Sequence, residues 1–374
     1  KAWLKCPTFF TGKTLFKRER SYADSRFGIR LSGADLIHLG EVETALHDEL
    51  GEINTRANLN YLLQGVTTIV TGNCGGGPTE VEKMFATIDE HGAGTNVIHL
   101  IPHGSLRRKV VGEANRPATD DELAEMKRLV AIEMKSGAWG MSTGLIYTPG
   151  CYAPTEELIE LSKVVAANGG IYASHIRGED HDSLLDSIRE AGLPAHISHL
   201  KASGPKAWGM MAQACKLIED ARAEGLAVTA DQYPYVASST NLAAMTVPSE
   251  DREGGYDSLA KRLKDSDSLA ELGGRIAQRL AERGGGKTIR IASYSKHAAW
   301  QGKSLVEIAE AEGREVIDIA IEILSNGGAS AVSFNMAEDD VRFAMAKPYV
   351  ATASDGGAKV PDQTVPHPRS YGCF

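Results

Sequence analysis

The chain has 374 residues, 42% of them hydrophobic and 24% charged, enough to bury a sizeable core, so disorder, collagen and coiled coil are excluded. Its 49 acidic residues outnumber 40 basic ones, and the formal charge of −9 argues against nonspecific nucleic-acid binding and favours a small-molecule partner. No uncharged apolar run reaches the roughly 18 residues of a membrane helix, so no membrane partner is expected.

Taken in chain order, residues 1–55 form a divergent N-terminal segment, with a first strand expected near 41–47. From about residue 60, short runs rich in Val, Ile and Thr follow at 67–72, 96–102, 138–144, 170–176, 195–200, 227–231 and 349–354. Between them, 120–135, 155–168, 179–190 and 210–224 carry acidic starts and apolar residues three and four apart, the period of amphipathic helices. This alternation predicts an α/β fold, a TIM-like (β/α)8 barrel, with chemistry at the C-terminal ends of its strands. An open doubly wound sheet lacks support, because no GxGxxG follows the first strand.

The beat is interrupted from 241 to 347, where a strand-like run at 288–292 and a glycine-rich turn at 284–286 indicate an inserted, lid-like subdomain between strands seven and eight. The expected organisation is therefore 1–55, barrel strands and helices over 56–240, the insert over 241–347, and strand eight with its following loop over 348–374.

Five cysteines, Cys6, Cys74, Cys151, Cys215 and Cys373, are an odd number spread widely, unlike a secreted disulfide scaffold. With no apolar run of signal-peptide length near the start, reduced thiols and a cytoplasmic location are expected. Lys1 in place of Met makes a fragment of a longer reading frame one expectation.

Polar residues at strand ends carry the chemical signal. Cys74, His175, His199 and Asp355 each end a different predicted strand. A thiolate and two imidazoles are the donor set that Zn²⁺ prefers, and three protein ligands leave a position open for catalysis. Asp355 then becomes the base at that site. Singly, each has an ordinary structural reading, a buried small thiol or a satisfied core histidine. Their common placement at one end of the barrel is what outweighs it. His38, His91, His181, His196 and His297 read as surface or structural groups, and His99 and His103 flank the third strand without an assigned role.

Seven stretches, QGVTTIVTGNCG (64–75), GMSTGLIYTPGCYA (140–153), YASHIRGE (172–179), ISHLKASG (197–204), DQYPYVASST (231–240), SDGG (354–357) and HPRSYG (367–372), occur in one order over 60–374. Together they resemble the N-acyl-D-amino-acid deacylases (D-aminoacylases) of the amidohydrolase superfamily. The resemblance implies zinc-dependent hydrolysis of the amide bond of N-acyl-D-amino acids to a carboxylate and a free D-amino acid. It places one tight zinc on Cys74, His175 and His199, and general acid/base work on Asp355. It further implies that Arg369, Lys201, Tyr233 and Ser239 receive the substrate carboxylate, and that Tyr147 helps polarise the scissile carbonyl.

Two departures accompany it. Where the superfamily ends its first strand with Asp-x-His-x-His, this chain has Glu43-Thr44-Ala45-Leu46-His47, so His47 alone remains for a weaker second metal position. The chain also ends soon after strand eight, so the last part of the barrel and a small β domain are expected to be missing. Another amidohydrolase reaction, such as cyclic amide hydrolysis, and a noncatalytic remnant of the barrel stay open as alternatives. Oligomeric state is not legible in the sequence.

Overall fold

The computed structural model describes residues 37–39, 55–180, 195–358, 369 and 373. The expected helix over 179–190 lies almost wholly outside them, as do His47 and His181. The described strands are β1 (Ile37–Leu39), β2 (Thr68–Thr71), β3 (Asn96–Pro102), β4 (Gly140–Gly144), β5 (Ile171–His175), β6 (Ala195–Ile197), β7 (Thr229–Gln232), β8 (Ser238–Asn241), β9 (Ile289–Ser293), β10 (Ser330–Ser333) and β11 (Val350–Thr352). β1 to β7 lie side by side in chain order, and β11 joins beyond β7; every pairing in this eight-stranded sheet is parallel. That is the strand order of a (β/α)8 barrel.

The parallel pairing follows from burial on both faces. β2 and β4 are buried at every position, so their residues read as continuous rather than alternating runs. The crossover helices bury one stripe each. In Asp120–Lys135 the buried side chains are Met126, Val130 and Met134, four residues apart on one face. Each contributes on the order of 1.5–3 kcal/mol relative to exposure. A capping box starts that helix: Thr119 Oγ1 accepts the Glu122 amide at 3.2 Å, and Glu122 Oε2 accepts the Thr119 amide at 2.8 Å.

The first strand differs from expectation. β1 occupies Ile37–Leu39, paired with β2 in the register Ile37↔Thr68, rather than the expected 41–47. Ile-His-Leu has the higher strand preference, whereas Glu43, Ala45 and Leu46 favour helix. Residues 41–47 lie outside the described residues.

Between β7 and β11 the chain builds a second, antiparallel sheet in the order β8-β10-β9. Helices over Gly255–Lys264, Ser266–Glu282, Leu305–Glu312 and Val316–Ser325 accompany it. Leu242, Ile276, Ile289, Ile291, Ile319 and Ile323 belong to a hydrophobic core of its own. β8 enters this sheet a few residues ahead of the expected boundary at 241. The helix Glu338–Met345 packs back on the barrel instead, its Ala344 buried with Met211, Ala214, Ile218 and Val350.

Candidate active site

Three of the strand-end residues share an unusual backbone. Cys74 just past β2 has φ 52°, His199 past β6 has φ 39°, and Asp355 past β11 has φ 51°. Among the described non-glycine residues only Asn58 also has positive φ. Such conformations cost on the order of 1–3 kcal/mol each and persist only where the surroundings enforce them. Around Cys74 the Gly75 amide donates to Ser142 Oγ at 3.0 Å, while the Ser142 hydroxyl donates to the Gly72 carbonyl. The close approach requires glycine at 144, where a Cβ would stand 2.0 Å from the Cys74 carbonyl oxygen. At His199, Asp231 Oδ1 accepts the backbone N–H at 2.5 Å.

These loops bring the three candidate ligands together. Cys74, His175 and His199 are 3%, 3% and 2% exposed, and their donor atoms all lie within 4.8 Å of one another. Cys74 Sγ is 3.3 Å from His199 Nε2, and the two imidazoles meet edge-on with centroids 4.4 Å apart. Zinc bonds of about 2.0–2.3 Å in tetrahedral array separate ligand atoms by roughly 3.3–3.8 Å. The spacing and donor types therefore fit a borderline-soft divalent ion.

Around this cluster lies a charged layer. Lys201 Nζ donates to Glu179 Oε1 at 2.5 Å and lies 2.7 Å from His199 Nδ1. Glu179 Oε1 is 3.4 Å from His199 Nδ1 and 3.7 Å from His175 Nε2. Burial alone would push the Glu179 carboxyl up, but the Lys201 charge and the two imidazoles hold it well below the usual carboxylate range. Lys201 is thus tied to the candidate ligands as well as standing 5.7 Å from the Tyr233 ring centroid.

The expected carboxylate-binding set meets at the same end. Arg369 Nη2 lies 3.4 Å from Asp355 Oδ2 and donates to the Ser239 carbonyl at 2.9 Å. Tyr233 is fully buried and stacks on Tyr235 at 4.2 Å. Its hydroxyl finds no hydrogen-bond partner among the described residues. Burial, and next the Asp355 charge, raise the Tyr233 phenol well above its ordinary value. The Tyr147 ring is 5.1 Å from that of His175, and its hydroxyl accepts from Thr240 Oγ1 at 3.1 Å. Of the expected site residues only His47 lies outside the described residues.

Three other buried histidines have structural partners. His196 Nε2 is 2.8 Å from Asp231 Oδ2, His103 Nε2 is 2.9 Å from Glu157 Oε1, and His99 sits between Thr71 Oγ1 and the Pro78 carbonyl. Glu179 and Asp231 are the residues that sequence reasoning passed over. Each lies within a quoted motif, Glu179 four residues after His175 and Asp231 opening DQYPY, so a search for carboxylates beside the ligands would have found them. A cavity of about 530 Å³ opens from Cys74 and Tyr147 toward the second sheet, where Tyr256, Tyr294 and Ser330 line it.

A parallel barrel with a Cys/His/His cluster at the strand ends and an aspartate closing the last strand defines an amidohydrolase-type protein. Comparison with known proteins narrows the class: the chain belongs to the N-acyl-D-amino-acid deacylase (D-aminoacylase) family of that superfamily. It is 32% identical over 364 residues to a D-aminoacylase of Alcaligenes xylosoxydans xylosoxydans, covering 90% of this chain and 66% of that protein. The structure of an N-acyl-D-glutamate deacylase from Bordetella bronchiseptica, complexed with zinc and a phosphonate inhibitor, is similar at a TM-score of 0.70 and 26% identity over 90% of this chain and 67% of that one. A D-aminoacylase described with a binuclear metal centre is similar at a TM-score of 0.69 and 27% identity, with the same coverage. The chain spans about two thirds of the length of the curated relatives it matches. No family model matches it. Among the described residues no helix is long and apolar enough to cross a membrane.

Proposed function

We propose that this chain hydrolyses the amide bond of N-acyl-D-amino acids, using one tightly held zinc. The observation that carries this reading is the convergence of Cys74, His175 and His199 donor atoms within 4.8 Å, at the strand ends that also present the Asp355–Arg369 pair. A divalent ion on those ligands would acidify water and polarise the scissile carbonyl. Asp355 accepts the proton of the attacking water and returns it to the departing amine nitrogen. The guanidinium of Arg369, with Lys201, Tyr233 and Ser239, holds the substrate carboxylate through paired charge-assisted hydrogen bonds. The unsatisfied Tyr233 hydroxyl supports that assignment, since its high proton affinity keeps it a donor. Tyr147, whose ring lies 5.1 Å from that of His175, helps polarise the scissile carbonyl. The preference for D substrates is supported by the names of the relatives, which specify D amino acids.

Zinc content and turnover of paired D and L N-acetyl amino acids test the proposal together. About one zinc per chain and hydrolysis confined to D isomers are expected. A metal-loaded protein that cleaves neither isomer, or both equally, would overturn it.

A further inference from the structure

The cavity beside Cys74 holds one cation that forms no ion pair with a described residue. Arg252 closes the short turn Ser249–Arg252, is 8% exposed and lines the cavity. Its Nε is buried without a hydrogen-bond partner, and no described residue forms a hydrogen bond or ion pair with its guanidinium. Neighbouring charges are engaged elsewhere, although Glu113 Oε2, on the same cavity wall, has no hydrogen-bond partner among the described residues. Arg108 Nε donates to Glu113 Oε1 and its Nη2 to the Thr148 carbonyl at 2.8 Å, while Arg275 holds Asp251 at 2.6 Å. Burying most of a guanidinium with no ion-pair partner is unfavourable, and a hydrophobic side chain would fill the same space better. An arginine retained there fits a site built for an anion that arrives with a ligand.

We propose that Arg252 anchors a second carboxylate on the substrate, beyond the one assigned to Arg369. This rests on the amide-hydrolase reading for the identity of the substrate. The cavity runs from Cys74 and Tyr147 at the candidate metal cluster to Arg252 and Tyr256 in the second subdomain. Its volume of about 530 Å³ suits a small molecule with both groups. A single unmatched guanidinium balances a single negative charge and matches a carboxylate through its planar fork. The group is either the side chain of an acidic D-amino acid or the far end of a dicarboxylic acyl group.

Two substrate pairs distinguish these sources with the zinc-loaded protein: N-acetyl-D-glutamate against N-acetyl-D-glutamine, and N-succinyl-D-leucine against N-acetyl-D-leucine. One pair is expected to favour its acidic member at least about tenfold in kcat/KM, because the neutral member leaves the buried cation unmatched. That ratio should fall toward one in Arg252→Gln and be partly kept in Arg252→Lys, which also guards against misfolding of the first variant. Parity in both pairs, or a ratio that survives Arg252→Gln, would overturn the proposal. If no N-acyl-D-amino acid is turned over, the hydrolase reading fails separately. Calorimetric binding of the two acidic compounds then decides: loss of binding in Arg252→Gln supports the anion site, and equal or absent binding in both proteins refutes it.

Discussion

Asp231 Oδ1 accepts the backbone N–H of His199 at 2.5 Å, while Asp231 Oδ2 lies 2.8 Å from His196 Nε2. One carboxylate at the end of β7 therefore fixes the left-handed backbone of a candidate ligand past the end of β6. The Leu200 amide donates to the Asp231 carbonyl at 2.8 Å, so two successive residues are held by the neighbouring strand. The position of His199 is thus set by hydrogen bonds from the neighbouring strand.

Replacing Asp231 by Asn tests that statement. The amide keeps the shape but loses the charge and one acceptor, so His199 or His196 loses its partner. Groups that orient a ligand are worth about 10–100-fold in metal affinity. Zinc affinity measured by chelator competition is expected to fall by that amount. Unchanged affinity would show that His199 is held without Asp231.

Cys74 provides the more direct test of the cluster. Serine in its place substitutes a poorly ionised hydroxyl for a thiolate, and the soft donor is lost. The Cys74→Ser protein should purify with little zinc. Added zinc should raise the melting temperature of the original chain but not of the variant, because a ligand stabilises a fold by binding only its native state. Equal zinc-dependent shifts in both proteins would remove Cys74 from the metal site.

Asp355→Asn separates proton transfer from metal binding. Asn cannot accept the proton of the attacking water, and loss of general-base catalysis costs roughly 10²-fold or more in turnover. Zinc content should stay unchanged, since the cluster of Cys74, His175 and His199 is intact. Near-normal turnover would assign the proton to another group.

The barrel was legible because short continuous apolar runs, alternating with segments of 3.6-residue period, survive in any single sequence. The predicted run at 96–102 matches β3, and the predicted helix at 120–135 matches Asp120–Lys135. Strand ends then brought Cys74, His175, His199 and Asp355 into view, since parallel register delivers all of them to one end. What was missed depends on tertiary contact. Asp231 acts through a backbone amide on another strand, Glu179 through Lys201, and Arg252 through the absence of any described partner. None of these leaves a period or a spacing. The placement of β1 failed for a different reason: the motif that marks it elsewhere is reduced here to His47, and position was inferred from the motif rather than from strand preference.

His99 links the fold to pH. It is fully buried, with Nδ1 2.7 Å from Thr71 Oγ1 and Nε2 2.9 Å from the Pro78 carbonyl. Its ring packs on Gly72, at the start of the loop that carries Cys74: a Cβ on that glycine would stand 2.7 Å from His99 Cε1. Burial lowers the His99 pKa from 6.5 to about 4, the hydrogen bond to Pro78 offsetting only part of that effect. The native state therefore keeps the ring neutral in a range where the unfolded chain protonates it. Above pH 6.5 both states are neutral and His99 adds no pH dependence. As pH falls from 6.5 to 4 the unfolded state binds the extra proton, and stability declines by up to roughly 3 kcal/mol. Carboxylates such as Glu122 and Glu160, held at about 2, lose their contributions only below their ordinary value of 4.5, whereas the Glu133 carboxyl, raised by burial, acts in the upper part of the window with the opposite sign and cancels in the comparison with His99→Gln. Urea unfolding of the original chain and of His99→Gln between pH 7 and 4 measures this. The original should be the more stable at pH 7, and the difference should shrink on acidification. A difference that stays constant across the range would mean that His99 does not titrate on unfolding.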